Sequence, residues 1–255
     1  MAVPTWPRPL HSPGGVAADV VFQVFSRGPL PDKLPLDRDR HGLPAGEPPE
    51  GIYLSELSAE DAPGWFARFG EEPRRGPAAA ALGDGLEALL AADHCYEVAG
   101  EHPDPADLAY LQHAWGVVRC LCELGGGPVY DHHAGRWWSR EQVLALAADR
   151  GFDIRREVAP ASFDQGKILG MLLYTRGLAK FGQPDVVMIR CGPDDLDALY
   201  GLAEAVALGL PVGPDFELEG AGGVVLHFVP YAPDEIMPDL HLVNDALVVV
   251  RGRAS

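Results

Sequence analysis

The chain has 255 residues, 37 of them acidic and 20 basic, and a net charge of −17. That balance argues against nucleic acid, whose phosphates need concentrated Lys and Arg, and against anionic lipid. It is compatible with a basic partner protein, because opposite fields steer encounter, and the length allows one large domain or two small ones.

Residues 1–18 read as a flexible, Pro-rich lead without the apolar run of a signal peptide. Nowhere is there a run of about 20 apolar residues, so no membrane span is expected. The branched and aromatic run Val20–Phe25 predicts a strand. Six prolines and several charges between Gly28 and Gly51 predict a long loop, with a short strand at Ile52–Leu57 after it. Ala59–Phe69 predicts a helix capped by Ser58, and Pro77–Ala92 a helix weakened by Gly83 and Gly85.

Further on, Cys95–Ala99 predicts a strand, and Asp104-Pro105 carries a helix-opening signal. Leu108, Leu111, Trp115, Val118 and Cys122 form a stripe on that helix, and Gly125–Gly127 ends it. Val129–Asp131 and Trp137-Trp138 predict two brief strands, and Ser139–Gln142 matches a capping box for a helix to Arg150. Ile168–Tyr174 predicts a strand, and Thr175 a cap for a short helix that stops at Gly182. A strand at Val186–Arg190, a helix opened by Pro193, and strands at 216–218, 224–229 and 246–250 complete the pattern.

Two pieces recur in order. Phe25-Ser26-Arg27-Gly28 is matched by Tyr174-Thr175-Arg176-Gly177, and Pro105-Ala106-Asp107-Leu108 by Pro193-Asp194-Asp195-Leu196. The expected fold is therefore α+β, a mixed, largely antiparallel sheet with helices packed on it, built from two diverged strand–helix–strand repeats. The first repeat would span 19–160 with a long insertion and the second 161–255, packed as one body so that each buries the other's apolar face.

Candidate chemistry follows from residue type and spacing. Arg176 and Lys180, four apart beyond Thr175, would share a face of the short helix and could hold a small anion, with Ser26 and Arg27 as a second such site. Thr175 and the two cations could equally brace the turn. Asp131, His132 and His133, with His94, His102 or His113, are the only metal-ligand types that cluster, but adjacent strand residues point to opposite faces. One of Trp137 and Trp138 would pack in the core and the other could anchor a partner. Cys95, Cys120, Cys122 and Cys191 read as reduced thiols in a cytoplasm. There is no GxSxG, Walker loop or GxGxxG, so no cofactor is expected.

The run Tyr174–Asp185, YTRGLAKFGQPD, resembles the T-R-G-(Met or Leu)-x-K-F-G-x-P-(Asp or Glu) signature of a bacterial family of domains of unknown function. The resemblance covers mainly the C-terminal half. It implies a binding role of the immunity kind and carries no catalytic residues. The leading expectation is a non-enzymatic binding protein. A small-anion enzyme using Arg176 and Lys180 is the alternative, and a metal-dependent hydrolase is the third.

Overall fold

The computed structural model describes residues 4–13, 15–146, 151–166, 170–192, 194–214, 216–219, 224–233, 239–240 and 242–253. Its contacts divide the chain into two units. The first holds Met1–Trp6, Asp19–His102 and Asp107–Phe152, and the second Pro7–Ala18, Pro103–Ala106 and Asp153–Ser255. The α+β class holds, and the sheet pairing is mostly antiparallel, but there are two sheets. The division falls at Phe152, ahead of the expected 160, because Ala159–Asp164 is a strand of the second sheet that sequence reasoning missed.

In the first unit, β1 (Ala18–Ser26) lies in the middle of a five-stranded sheet of order β2-β3-β1-β4-β5. The other strands are β2 (Tyr53–Ser58), β3 (His94–His102), β4 (Val129–Asp131) and β5 (Arg136–Trp138). The hydrophobic run that predicts β1 is buried from Phe22 to Ser26 at alternate and then successive positions, as a central strand requires. Phe25 is the hub of one core cluster, with Trp65, Phe69 and Trp137 all within 5.8 Å of its ring centroid.

Helix α5 (Ala109–Glu123) starts four residues beyond the expected opening, after α1 (Arg38–His41), α2 (Pro63–Ala67), α3 (Arg75–Leu82) and α4 (Leu86–Leu90). Asp104 has φ 38°, which no N-cap adopts, and Asp107 instead accepts from the Ala109 amide. The apolar stripe understates this helix. Every residue from Tyr110 to Val118 is buried, so it is a central element rather than a covering one. Residues 4–6 are tied to it: Trp6 N–H donates to Gln112 Oε1, and Gln112 Nε2 donates to the Pro4 carbonyl. The lead is therefore not loose there.

The glycine signals act as stops. The Gly126 amide returns to the Leu121 carbonyl beyond α5, and Gly83 breaks the 77–92 helix into α3 and α4 around a 3₁₀ turn at Gly83–Gly85. Ser58 forms a turn with Asp61, so α2 begins only at Pro63 and ends in a 3₁₀ turn at Arg68–Gly70. The Ser139–Gln142 capping box forms as read and opens α6 (Arg140–Ala145); residues 147–150 of that expected helix lie outside the described residues.

In the second unit the sheet order is β6-β7-β8-β11-β10-β9. Its strands are β6 (Ala159–Asp164), β7 (Met171–Arg176), β8 (Asp185–Cys191), β9 (Glu217–Glu219), β10 (Val224–Pro230) and β11 (Ala246–Arg253). In this sheet β8 and β11 pair in parallel, and β6–β7, β7–β8, β9–β10 and β10–β11 are antiparallel. Helices α7 (Ile154–Glu157) and α8 (Asp195–Ala207) complete it, and Pro193 lies outside the described residues.

The lead belongs to this unit from Pro7 onward. Arg8 is buried, and its guanidinium donates to the carbonyls of Ala207, Pro105 and Phe181. The expected repeat does not appear as a shared strand order. The strand that follows α5, β4, joins β1, whereas the strand that follows α8, β9, joins β10 and not β8 or β7.

Gly182 ends a 3₁₀ turn at Leu178–Phe181 with φ 64°, and a Cβ there would collide with the Val16 carbonyl oxygen. Gly182→Ala is therefore expected to destabilise by about 1–3 kcal/mol. Gly201→Ala, in α8 with open space around it, should be neutral or stabilising by up to about 1 kcal/mol. Urea titration of both variants checks the contrast.

Candidate functional site

Thr175 sits at the end of β7, and its hydroxyl works across to β8 rather than capping a helix. It donates to Asp185 Oδ1 at 2.8 Å and accepts the Val186 amide at 2.8 Å. Asp185 Oδ1 also accepts the Leu178 amide, and Asn244 Nδ2 donates to Oδ2. Gly177, at φ 120°, turns the chain between them into the Leu178–Phe181 turn. Burial pushes the Asp185 carboxyl up to about 6, against the pull of the Thr175 and Leu178 hydrogen bonds.

Lys180 does not share an open face with Arg176. Its side chain is 0% exposed, and Nζ meets Glu157 Oε2 at 3.0 Å, with Glu157 equally enclosed. Arg156 Nε holds the other oxygen, Oε1, at 2.6 Å. A buried ammonium fixed to a buried carboxylate is not available to an incoming anion. Arg176 is half-buried on β7, opposite Ala159, and its Nε is buried with no hydrogen-bond partner among the described residues. The expected pairing of Arg176 with Lys180 around an anion is corrected accordingly: the TRGLAKFG run builds a corner.

Ser26 and Arg27 are no second copy of that corner. Ser26 is buried and donates to the Gly28 carbonyl at 3.0 Å. Arg27 is exposed and lines an open cleft of about 380 Å³ with Glu87, Ala88, Ala91, Gly125 and Gly127.

Among the described residues the histidines do not assemble a metal centre. Asp131 is buried and accepts the Ala134 amide at 3.0 Å, bracing the turn that joins β4 to β5. His132 is exposed and His133 buried, and both lie in that turn beyond the end of β4 rather than on a strand. His133 Nε2 lies 3.0 Å from Asp19 Oδ2, an ion-pair distance without hydrogen-bond alignment. His102 packs on the Tyr110 ring at 4.6 Å, and burial lowers the pKa of His102 and His113. His94 is held by Asp93 at 2.8 Å. Among the described residues no three His, Cys, Asp or Glu side chains are grouped to hold a metal ion.

Neither tryptophan is an exposed anchor. Trp137 is in the Phe25 core, and Trp138 is half-buried with Trp115 edge-on at 5.7 Å and the Arg136 guanidinium over its ring at 5.5 Å. Burial raises all four thiols, Cys95 and Cys122 to about 12, which removes the thiolate that nucleophilic chemistry needs. A small cavity of about 100 Å³ brings His41, Cys120 and Glu123 together. There His41 Nδ1 accepts the Asp37 amide and Nε2 faces Glu123, so the ring fastens α1 to α5 and has no nitrogen left to act as a base.

Sequence reasoning placed β2, expected at Ile52–Leu57, but missed that the strand is open to solvent. It is the edge strand of its sheet, and its four leading residues, Tyr53 to Glu56, are exposed on both faces. Tyr53 is 56% exposed and Leu54 41%. The signal was present: from His41 to Ala67 the chain has Glu47, Glu50, Glu56, Glu60 and Asp61 and not one Lys or Arg. All five carboxylates are exposed.

No protein-family model matches the chain, and comparison with curated proteins and with solved structures gives no match.

Two outcomes test the corner. Lys180→Met leaves Glu157 short of one cation in a closed interior and is expected to cost about 3–5 kcal/mol, whereas the paired change Lys180→Met with Glu157→Gln should recover much of it; chemical denaturation of the three proteins decides. Asp185 retains its proton in the folded state up to about pH 6 and loses it near pH 3.8 when unfolded. Folding therefore binds a proton between those values, and stability relative to Asp185→Asn should fall by up to about 3 kcal/mol as pH rises from 4 to 6, then level off. Denaturation series at pH 4, 5, 6 and 7 measure it.

Proposed function

We propose that the chain is a non-enzymatic binding protein that recognises a basic protein. The observation that carries this reading is the acidic stretch His41–Ala67, whose exposed carboxylates flank the exposed Tyr53 and Leu54. An acidic rim around an apolar contact favours a cationic partner and speeds its encounter. The immunity-like role implied by the TRG signature is of this kind, since such proteins act by covering another protein. Unpaired thiols suit a reducing compartment, and a cytoplasmic location belongs to the same proposal. Among the described residues no helix is long and apolar enough to cross a membrane.

Catalysis has less support. Lys180 is sequestered, His41 has both ring nitrogens engaged, and the thiols are held protonated. The small-anion alternative retains Arg27 at its open cleft.

The test is isolation of the partner on the immobilised chain, followed by reconstitution from two purified proteins. A one-to-one complex with a protein of net positive charge, weakening steeply between 50 and 500 mM salt, is the expected result. A partner that is acidic, or an affinity indifferent to salt, would refute the reading.

A further inference from the structure

The five-stranded sheet of the first unit ends at β2, whose ladder to β3 runs unbroken over six residues, from Tyr53 opposite Ala99 to Ser58 opposite His94. In an antiparallel pair, alternate residues turn their N–H and C=O away from the partner strand. Among the described residues none of the amides of 53–58 donates to anything beyond that ladder.

Edges of this kind attract other chains, and folds blunt them with Lys, Pro, a bulge or a covering element. Here β2 contains no Lys or Pro, its register has no shift, and its side chains are open on both faces at Tyr53, Leu54, Ser55 and Glu56. The strand is thus left competent to pair, with two large apolar side chains to bury.

We propose that β2 is a docking strand: an extended, basic segment of a partner protein adds to it as a sixth strand of the sheet. The inference rests on the binding reading above and specifies its place and chemistry. Main-chain hydrogen bonds to 53–58 would supply the register, and alternate side chains the selectivity. Tyr53 and Leu54 lie on opposite faces, so an incoming strand gains an apolar neighbour on each. Glu56 shares the Leu54 face and lies diagonal to the residue opposite it, where Lys or Arg is favoured. Glu47 and Glu50 before the strand and Glu60 and Asp61 after it lengthen the cationic match.

A second copy of the chain is the wrong occupant on charge. Antiparallel pairing of β2 with itself sets Glu56 against or beside its counterpart and brings two chains of −17 together.

The probes are an eight-residue peptide alternating lysine and valine, the same peptide N-methylated at alternate amides, and a lysine–proline peptide of equal charge. Fluorescence anisotropy on the full chain is expected to show the lysine–valine peptide binding at least tenfold tighter than either control. Amide exchange at 53–58 should slow on binding. The double substitution Leu54→Lys and Glu56→Lys, shown folded by circular dichroism, should abolish the preference. Equal binding of lysine–valine and lysine–proline peptides overturns strand addition while leaving a basic partner in place. Binding by none of the peptides overturns the docking strand, and a basic partner that reconstitutes equally with the double variant does the same without touching the wider reading. Dimerisation of the unliganded chain, abolished by that variant in sedimentation, assigns the edge to a second copy and overturns the basic segment.

Discussion

A lysine ammonium sealed from water governs the second unit. Moving such a charge out of solvent costs several kcal/mol, and only a close carboxylate with further hydrogen bonds offsets it. Lys180 finds that carboxylate in Glu157, on a four-residue helix opened by Asp153, whose side chain accepts the Arg155 amide. Arg156 secures the same carboxylate from the neighbouring position. The turn that carries Lys180 must therefore sit at a fixed distance from α7, and Phe181 and Leu178, both fully enclosed, follow it into the interior. Asp185 does the same for the strands: one buried carboxylate collects Thr175, Leu178 and Asn244 and so sets where β7 ends and β8 begins.

Local and distant interactions differ in how legible they are in the sequence. Elements announced by local chemistry came through: the β1 run, the Ser139 capping box, and the stops at Gly126 and Gly182 depend on residues a few positions apart. Elements that depend on distant partners did not. Glu157 lies 23 residues from Lys180, and nothing in either neighbourhood marks the pair, so a lysine read as holding an anion with Arg176 or bracing the turn is an interior ion-pair partner. The division into two sheets was invisible for the same reason, because strand order is set by long-range pairing. The α5 opening was misplaced by two residues with competing turn chemistry, Asp104 and Asp107.

The candidate site was less legible still. Conspicuous polar residues drew attention, and most of them brace places where the backbone changes direction: Thr175 between strands, Asp131 under the β4–β5 turn, Ser26 at the end of β1. Trp137, the most conspicuous aromatic, completes the Phe25 cluster. The residues free to meet another molecule, Tyr53 and Leu54, look ordinary in sequence, and burial alone distinguishes them. Charge offered the one readable hint, as a long interval without a cation.

Arg8 also sets a timetable for synthesis. Its guanidinium closes on carbonyls 173 and 199 residues further along, at Phe181 and Ala207. On a ribosome adding about 5–20 residues per second, that side chain waits roughly ten to forty seconds for the last of its acceptors to be made. Meanwhile residues 19–152, which hold almost all of the first unit, have been completed. Arg8 can therefore be fixed to Phe181 and Ala207 only after those residues are complete.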